Sequence, residues 1–159
     1  MALLYAKPTE YAIRALTYLA AHPTDEAVSV QEIAAAEEIS SHHLSKVMKN
    51  LARAKLVLPL RGPGGGYRLI RDPRIITLWE VMGCLGAQSS FEECAIGWTE
   101  CSDQDPCPLH ERWMETRGEI RAYLEGVTIL ELAKASEHKK QAPASRGFLQ
   151  VGIPVRSGE

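Results

Sequence analysis

The sequence predicts a mainly α-helical chain with one small β-wing: a winged helix-turn-helix unit followed by a long helix suited to joining two copies. Three observations carry this. Two short helical stretches are separated by a tight turn, and the second has cations on its outer face. A hairpin tipped by "RGPGGG" follows at once. After a cysteine-bearing stretch with no periodicity, a segment of helical period begins near Pro108.

The elements follow in order. Pro8 and Thr9 open a first helix to about residue 21. Ile13, Leu16 and Ala20 form one apolar stripe, and Tyr11, Ala15 and Tyr18 a second. Two apolar sides imply two packing surfaces, such as the helix's own domain and a partner. Ser29 with Glu32 reads as a capping box for the short helix "VQEIAAAEE". "IS" forms the turn, and Ser40 is placed to cap a second helix to about residue 54. Leu44, Val47, Met48 and Leu51 recur at i, i+3, i+4, i+7, with His42, Lys46, Lys49 and Arg53 opposite. "LVLPL" and "YRLI" read as two strands, with Gly64, Gly65 and Gly66 at the hairpin tip because glycine reaches positive φ cheaply.

Thr77 and Glu80 form a second capping box, opening a helix to about Cys84. The long helix then takes Pro108 at its first position and Gly126 at its end, with Leu109, Trp113, Ile120, Leu124 and Val127 as its stripe. The winged unit already has a core, so Leu109, Trp113, Ile120 and Leu124 are expected to meet a second copy of the same helix. Thr128 and Glu131 start a short packing helix, "ILELAKAS". The expected division is therefore a winged domain over 1–84, a cysteine loop over 85–107, and a dimerisation and packing segment over 108–136. Residues 137–159 have the composition of a mobile tail, and Gly152 and Pro154 argue against a central strand in "FLQVGIPV".

Composition bounds the function. With 159 residues and 45% hydrophobic content, the chain suits one compact domain or a domain with an extension. No apolar run nears the ~20 residues of a membrane span. Lys7, Pro8, Glu10 and Arg14 interrupt the first apolar stretch, so no secretion signal is expected there. A cytoplasmic setting follows as the expectation, and four cysteines in it point to a metal or redox chemistry before disulfides. No base–nucleophile grouping is legible, so an enzyme is not expected.

Net charge is −2, but it is unevenly spread. Between His43 and Ile75 eight Lys and Arg face only Asp72, a net +7, which leaves −9 elsewhere. Such a patch on an acidic chain is an electrostatic footprint for double-stranded DNA, here expected to be a promoter. The N-terminal end of a recognition helix usually reaches base edges, which selects Ser41, His42, His43, Ser45 and Lys46. Lys49 and Arg53 are placed for phosphates. Arg61, at the foot of a wing made of Gly62, Pro63, Gly64, Gly65 and Gly66, suits a minor groove.

The stretch "ECAIGWTECSDQDPCPLH" holds the remaining chemistry. Six residues separate Cys94 from Cys101, five separate Cys101 from Cys107, and His110 follows two residues later. Three thiols and an imidazole can close a tetrahedral site. Glu92, Glu93, Glu100, Asp103 and Asp105 crowd the loop and disfavour bare thiolates, which a bound cation would relieve. Spacing alone leaves structural zinc and an iron–sulfur cluster both open. Cys84, before the loop, reads as a packed free thiol.

The stretches "KPTEYAIRAL", "SVQEIAAAEEISSHHLSKVMKNLARAKLV", "RGPGGGYRLIRD" and "CPLHERW", with the three cysteines between, resemble the IscR/NsrR family of bacterial iron–sulfur transcription regulators over about residues 1–135. The resemblance implies a homodimer with long helices crossing at its centre. It implies an iron–sulfur cluster, 2Fe–2S in the first place and 4Fe–4S as the alternative, on Cys94, Cys101 and Cys107. It implies a fourth ligand at His110, or at Glu10 reaching across the dimer. It implies DNA binding, typically repression, controlled by redox state, nitric oxide or iron. The rival expectation is a winged-helix regulator with structural zinc, or with thiol-based sensing and no metal.

Overall fold

A computed structural model of the chain describes residues 5–98 and 103–141. Its elements in order are α1 (Lys7–Ala21), α2 (Val30–Ala36), α3 (Ser41–Arg53), β1 (Val57–Leu60), β2 (Gly66–Leu69), α4 (Leu78–Gly83), α5 (His110–Gly126) and α6 (Ile129–Gln141), with one tight helical turn at Ser89–Phe91. The architecture is mainly helical with a two-stranded antiparallel wing, as the periodicities predict.

The core forms around α1. Ala12, Ala15 and Leu16 are fully buried, and α1 packs on α3, α4, β2 and α6. Leu44, Met48 and Leu51 of α3 are equally inaccessible, so the i, i+3, i+4, i+7 set is the buried face of that helix. The second stripe of α1 is partly covered within the chain. Ala15 is buried and Tyr18 half-buried within the chain, where the Tyr18 hydroxyl bonds to Glu32 at 3.2 Å.

Both helices of the helix-turn-helix end in the same way. Ile39 N–H donates to Ala34 O at 2.9 Å, and Leu56 N–H to Leu51 O at 3.0 Å. Each closes a Schellman motif whose left-handed residue is normally glycine. Here those residues are Glu38 (φ 53°) and Lys55 (φ 58°). The apolar residue after each, Ile39 or Leu56, is buried and holds the turn in place. Ser40 stands at the N-cap of α3 but its hydroxyl makes no capping bond, contrary to expectation. Ser29 Oγ and Thr77 Oγ1 do cap, accepting from Glu32 N–H at 3.1 Å and Glu80 N–H at 3.2 Å. Only Thr128 and Glu131 complete a reciprocal box, with Thr128 N–H on Glu131 Oε2 at 2.7 Å and Glu131 N–H on Thr128 Oγ1 at 3.3 Å.

The wing pairs Val57 with Leu69 and Leu60 with Gly66. Its tip differs from expectation. Positive φ falls on Gly62 (96°) and Gly64 (74°), while Gly66 belongs to β2. Gly66 is there for space: a Cβ would sit 2.2 Å from Val28 O. Val28 and Tyr67 exchange backbone bonds of 2.9 and 2.8 Å, docking the wing against the segment before α2.

The C-terminal elements return to this core. Leu78 N–H bonds to Val127 O at 3.1 Å, and Ile129 N–H to Ile76 O at 2.9 Å. Leu124 and Ile129 are fully buried among the core residues, and α6 packs along α1. Pro108 is not the first helical residue, because α5 starts at His110 with Leu109 as its N-cap. α6 runs on to Gln141, past the expected end near residue 136, since Glu, Lys and Gln are good helix formers. The rest of the expected tail, with "FLQVGIPV", lies outside the described residues.

Candidate nucleic-acid interface and metal centre

The helix-turn-helix presents Ser41, His42, His43, Lys46, Lys49 and Arg53 to solvent, and Ser45 half-buried. Ser45 Oγ donates to Ser41 O at 2.7 Å, so its hydroxyl is engaged along the helix. His42 and His43 lie edge to face, 5.8 Å between ring centroids, at the start of α3. Arg61, Gly62, Pro63 and Gly64 form an exposed tip, while Gly65 and Gly66 are half-buried at its root.

The eight cations of the basic segment divide into two groups. Arg71 pairs with Glu80 of α4, Arg74 with Asp72 at 2.6 Å, and Arg68 donates to Asp25 O at 3.3 Å. These three brace the end of the wing. Among the described residues, no carboxylate lies within ion-pair distance of Lys46, Lys49, Arg53, Lys55 or Arg61. The uncompensated charge is therefore on the outer face of α3, its C-terminal turn and the wing tip. That face can neutralise phosphates while the start of α3 meets base edges.

The cysteine loop joins α4 to α5 and is tied to both at its root. Phe91 packs edge-on against Trp79 of α4, 5.6 Å between centroids. Arg117 Nη1 donates to Phe91 O at 2.9 Å, and Trp113 Nε1 to Glu93 O at 3.0 Å. Gln88 Nε2 donates to Trp79 O at 2.7 Å, and Arg121 lies over the Trp79 ring at 5.1 Å. Nothing in the sequence marked these contacts, because aromatic and amide groups in an aperiodic stretch carry no register.

Cys94 and Cys107, thirteen positions apart, come together. Both are buried, at 8% and 9% exposure, and the Cys107 side chain lies near enough to help lower the Cys94 thiol. The Ile96 and then the Trp98 N–H groups, aimed at the Cys94 sulfur, hold its thiol below the usual cysteine range. Burial opposes this and is outweighed. Cys101 lies outside the described residues, and within them no three His, Cys, Asp or Glu side chains gather into a metal site. His110 opens α5 at 6% exposure, its N–H on Cys107 O at 2.9 Å. Its Nε2 meets Asp103 at 2.7 Å, a carboxylate that fixes the ring and that sequence spacing did not reveal. Buried sulfurs facing amide N–H groups suit a thiolate-held cluster or zinc.

Glu10, the alternative ligand, is committed within its own helix to Lys7 at 3.0 Å and Arg14 at 3.7 Å. The Lys7 bond is the main cause that holds its carboxyl below the usual range. Cys84 donates from Sγ to Glu80 O at 3.2 Å, and burial pushes its thiol up, as for a packed free cysteine.

Of the four residues expected to meet a second copy, Leu124 is instead fully buried in the chain's own core and Ile120 packs against that core. Trp113 is half-buried, and Leu109 is 47% exposed. Leu109, Thr116 and Tyr123 form an exposed line at seven-residue spacing, with Trp113 and Ile120 beside it. No helix among the described residues is long and apolar enough to cross a membrane.

Comparison with known proteins places this geometry in context. Residues 5–135 match the Rrf2 family model, described as an iron-dependent transcriptional regulator. An Aquifex aeolicus protein named as an HTH-type transcriptional regulator is 34% identical over 146 residues, 91% of this chain and 100% of that one. The regulator IscR of Vibrio campbellii is 31% identical over 127 residues, 80% of this chain and 75% of its own. Among solved structures, T. potens IscR is similar with a TM-score of 0.69 at 26% identity, covering 90% of this chain and 95% of that one. CymR, the global cysteine regulator of B. subtilis, also reaches 0.69, at 25% identity with 84% and 98% covered.

Proposed function

Because the chain belongs to the Rrf2 family of transcriptional regulators, and so is not an enzyme, we propose that it is a cytoplasmic, homodimeric DNA-binding repressor. We infer that its hold on a promoter is governed by an iron–sulfur cluster, 2Fe–2S before 4Fe–4S, on Cys94, Cys101 and Cys107. The observation that carries this reading is the meeting of Cys94 and Cys107 in a buried, N–H-lined pocket at the start of α5. The buried His110 beside them is the candidate fourth ligand, with Glu10 of a partner chain as the alternative.

Bound there, a cluster supplies a centre whose ligation responds to oxidant, nitric oxide and iron supply. The chain does the rest. Cys94 and Cys107 tie the loop to the first turn of α5, and Trp79 with Phe91 ties its root to α4. α4 packs on α1, which packs on α3, so an ordered loop bears on the recognition helix through solid contacts. In a dimer, both recognition helices must match half-sites about one helical turn or a multiple apart, so a small shift changes affinity. A coupling of ~1–3 kcal/mol corresponds to about 5–150-fold.

Anaerobic purification is the test. Brown protein with iron and acid-labile sulfide, both lost in Cys94→Ala and Cys107→Ala, is expected. Colourless, iron-free protein would refute the cluster. The Cys94–Cys107 contact also favours a second reading, thiol-based sensing without metal. That reading expects the iron-free protein to change DNA affinity on oxidation and the two cysteine variants not to.

A further inference from the structure

A groove of about 510 Å³ runs between the start of α1 and α3. Lys7 and Tyr11 line one side, His43, Lys46 and Asn50 the other, and Val47 forms part of the floor. Two ammonium groups and an imidazole line it, and the nearest paired carboxylate, Glu10, stands 3.0 Å from the Lys7 ammonium. His43, Lys46 and Asn50 recur at i, i+3 and i+7, so they form the flank of the outward α3 face that holds Lys49 and Arg53. Lys46 belongs to both surfaces. The Lys7 ammonium stands 6.0 Å from the Tyr11 ring centre, at the mouth of the groove.

We propose that this groove seats the DNA sugar–phosphate backbone beside the bases read by α3, with Lys7 as a phosphate contact. The sequence placed that role only on α3 and the wing. The inference rests on the DNA-binding reading and extends it to α1. Charge complementarity and continuity with the α3 face identify the occupant: a polyanion lying on α3 meets Lys46 in the groove and has Lys7 across it. Lys7 is shared with Glu10 at 3.0 Å, an exposed pair of the kind that exchanges readily. Arg14, bonded to Glu37 at 3.1 Å and 3.7 Å from Glu10, still partly compensates that carboxylate when Lys7 turns to a phosphate.

The test is lysine acylation of the full chain by an N-hydroxysuccinimide acetate, with and without a random-sequence duplex a few turns long, read by mass spectrometry. Lys7, Lys46 and Lys49 should be protected severalfold by DNA, and Lys134 on α6 not at all. If Lys46 and Lys49 are protected and Lys7 is not, this inference fails and the DNA-binding reading stands. If none is protected, both fail. Lys7→Gln should weaken binding roughly 5–10-fold at ~0.1 M salt and lower the salt slope by about 0.9 per protomer, and Lys7→Arg should restore both. An unchanged slope in Lys7→Gln would likewise overturn it.

Discussion

At Gly66 the absence of a side chain decides whether the wing can dock. A methyl group would collide with Val28 O at 2.2 Å, and the atoms it meets are the Val28–Ser29 peptide backbone, which yields less than a side chain. Gly64 is the contrast, held at φ 74° with open space around it. Gly66→Ala should cost more than about 2 kcal/mol in chemical denaturation and Gly64→Ala about 1. Equal losses would show that the close approach at Gly66 costs no more than the positive φ at Gly64. Glu38 and Lys55 carry the opposite lesson. Each holds a left-handed conformation that glycine adopts without strain, so Glu38→Gly or Lys55→Gly should raise stability by up to ~1 kcal/mol. Sequence reasoning placed these helix ends but not their left-handed residues, because the glycine that usually marks them is missing. Glu131 adds a pH dependence. Bonds from the Thr128 N–H and hydroxyl hold its carboxyl below the usual range. A lowered carboxyl pKa stabilises the fold above the ordinary glutamate range, and this is lost as pH falls through the folded value. Thermal melts of Glu131→Gln should therefore flatten part of the acid-side decline; an unaltered profile would assign it elsewhere.

On the proposed reading, the recognition helix and the wing meet DNA as separate elements. Lys49 sits mid-helix on the exposed face and Arg61 at the foot of the hairpin tip. Lys49→Ala should weaken all duplexes about equally and lower the salt slope by roughly one unit. Arg61→Ala should instead lower the preference for a chosen promoter over random DNA, as a minor-groove contact would. Competition titrations at several salt concentrations separate the two, and no change in either variant would remove both assignments. α3 was legible because one set of apolar residues at helical spacing serves one buried face. α5 was less so. Its stripe divides between the chain's own core, through Leu124, and an exposed line, and periodicity says that a face is apolar without saying what covers it. The cysteine loop was legible only as chemistry. Residue type identified Cys94, Cys107 and His110, but the Asp103 and Trp79–Phe91 contacts depend on tertiary approach that no period encodes.

For the molecule as a whole, we propose the exposed line of Leu109, Thr116 and Tyr123 as the edge that meets a second copy. Changing Leu109 and Tyr123 together to Glu should move the species seen in sedimentation from dimer to monomer, with the fold kept because neither side chain is buried within the chain and the melting temperature lowered by loss of the partner. A monomeric native chain, or a double variant that stays dimeric, would sink the arrangement. The closure of α6 over α1 reaches further. A ribosome making this chain releases the helix-turn-helix early, yet the groove on α1 stays open until the segment around Ile129 and Ala133 has emerged. The cysteine-bearing stretch is translated in that interval, so the nascent reader of DNA stays unfinished until every thiol has left the peptidyl-transferase centre.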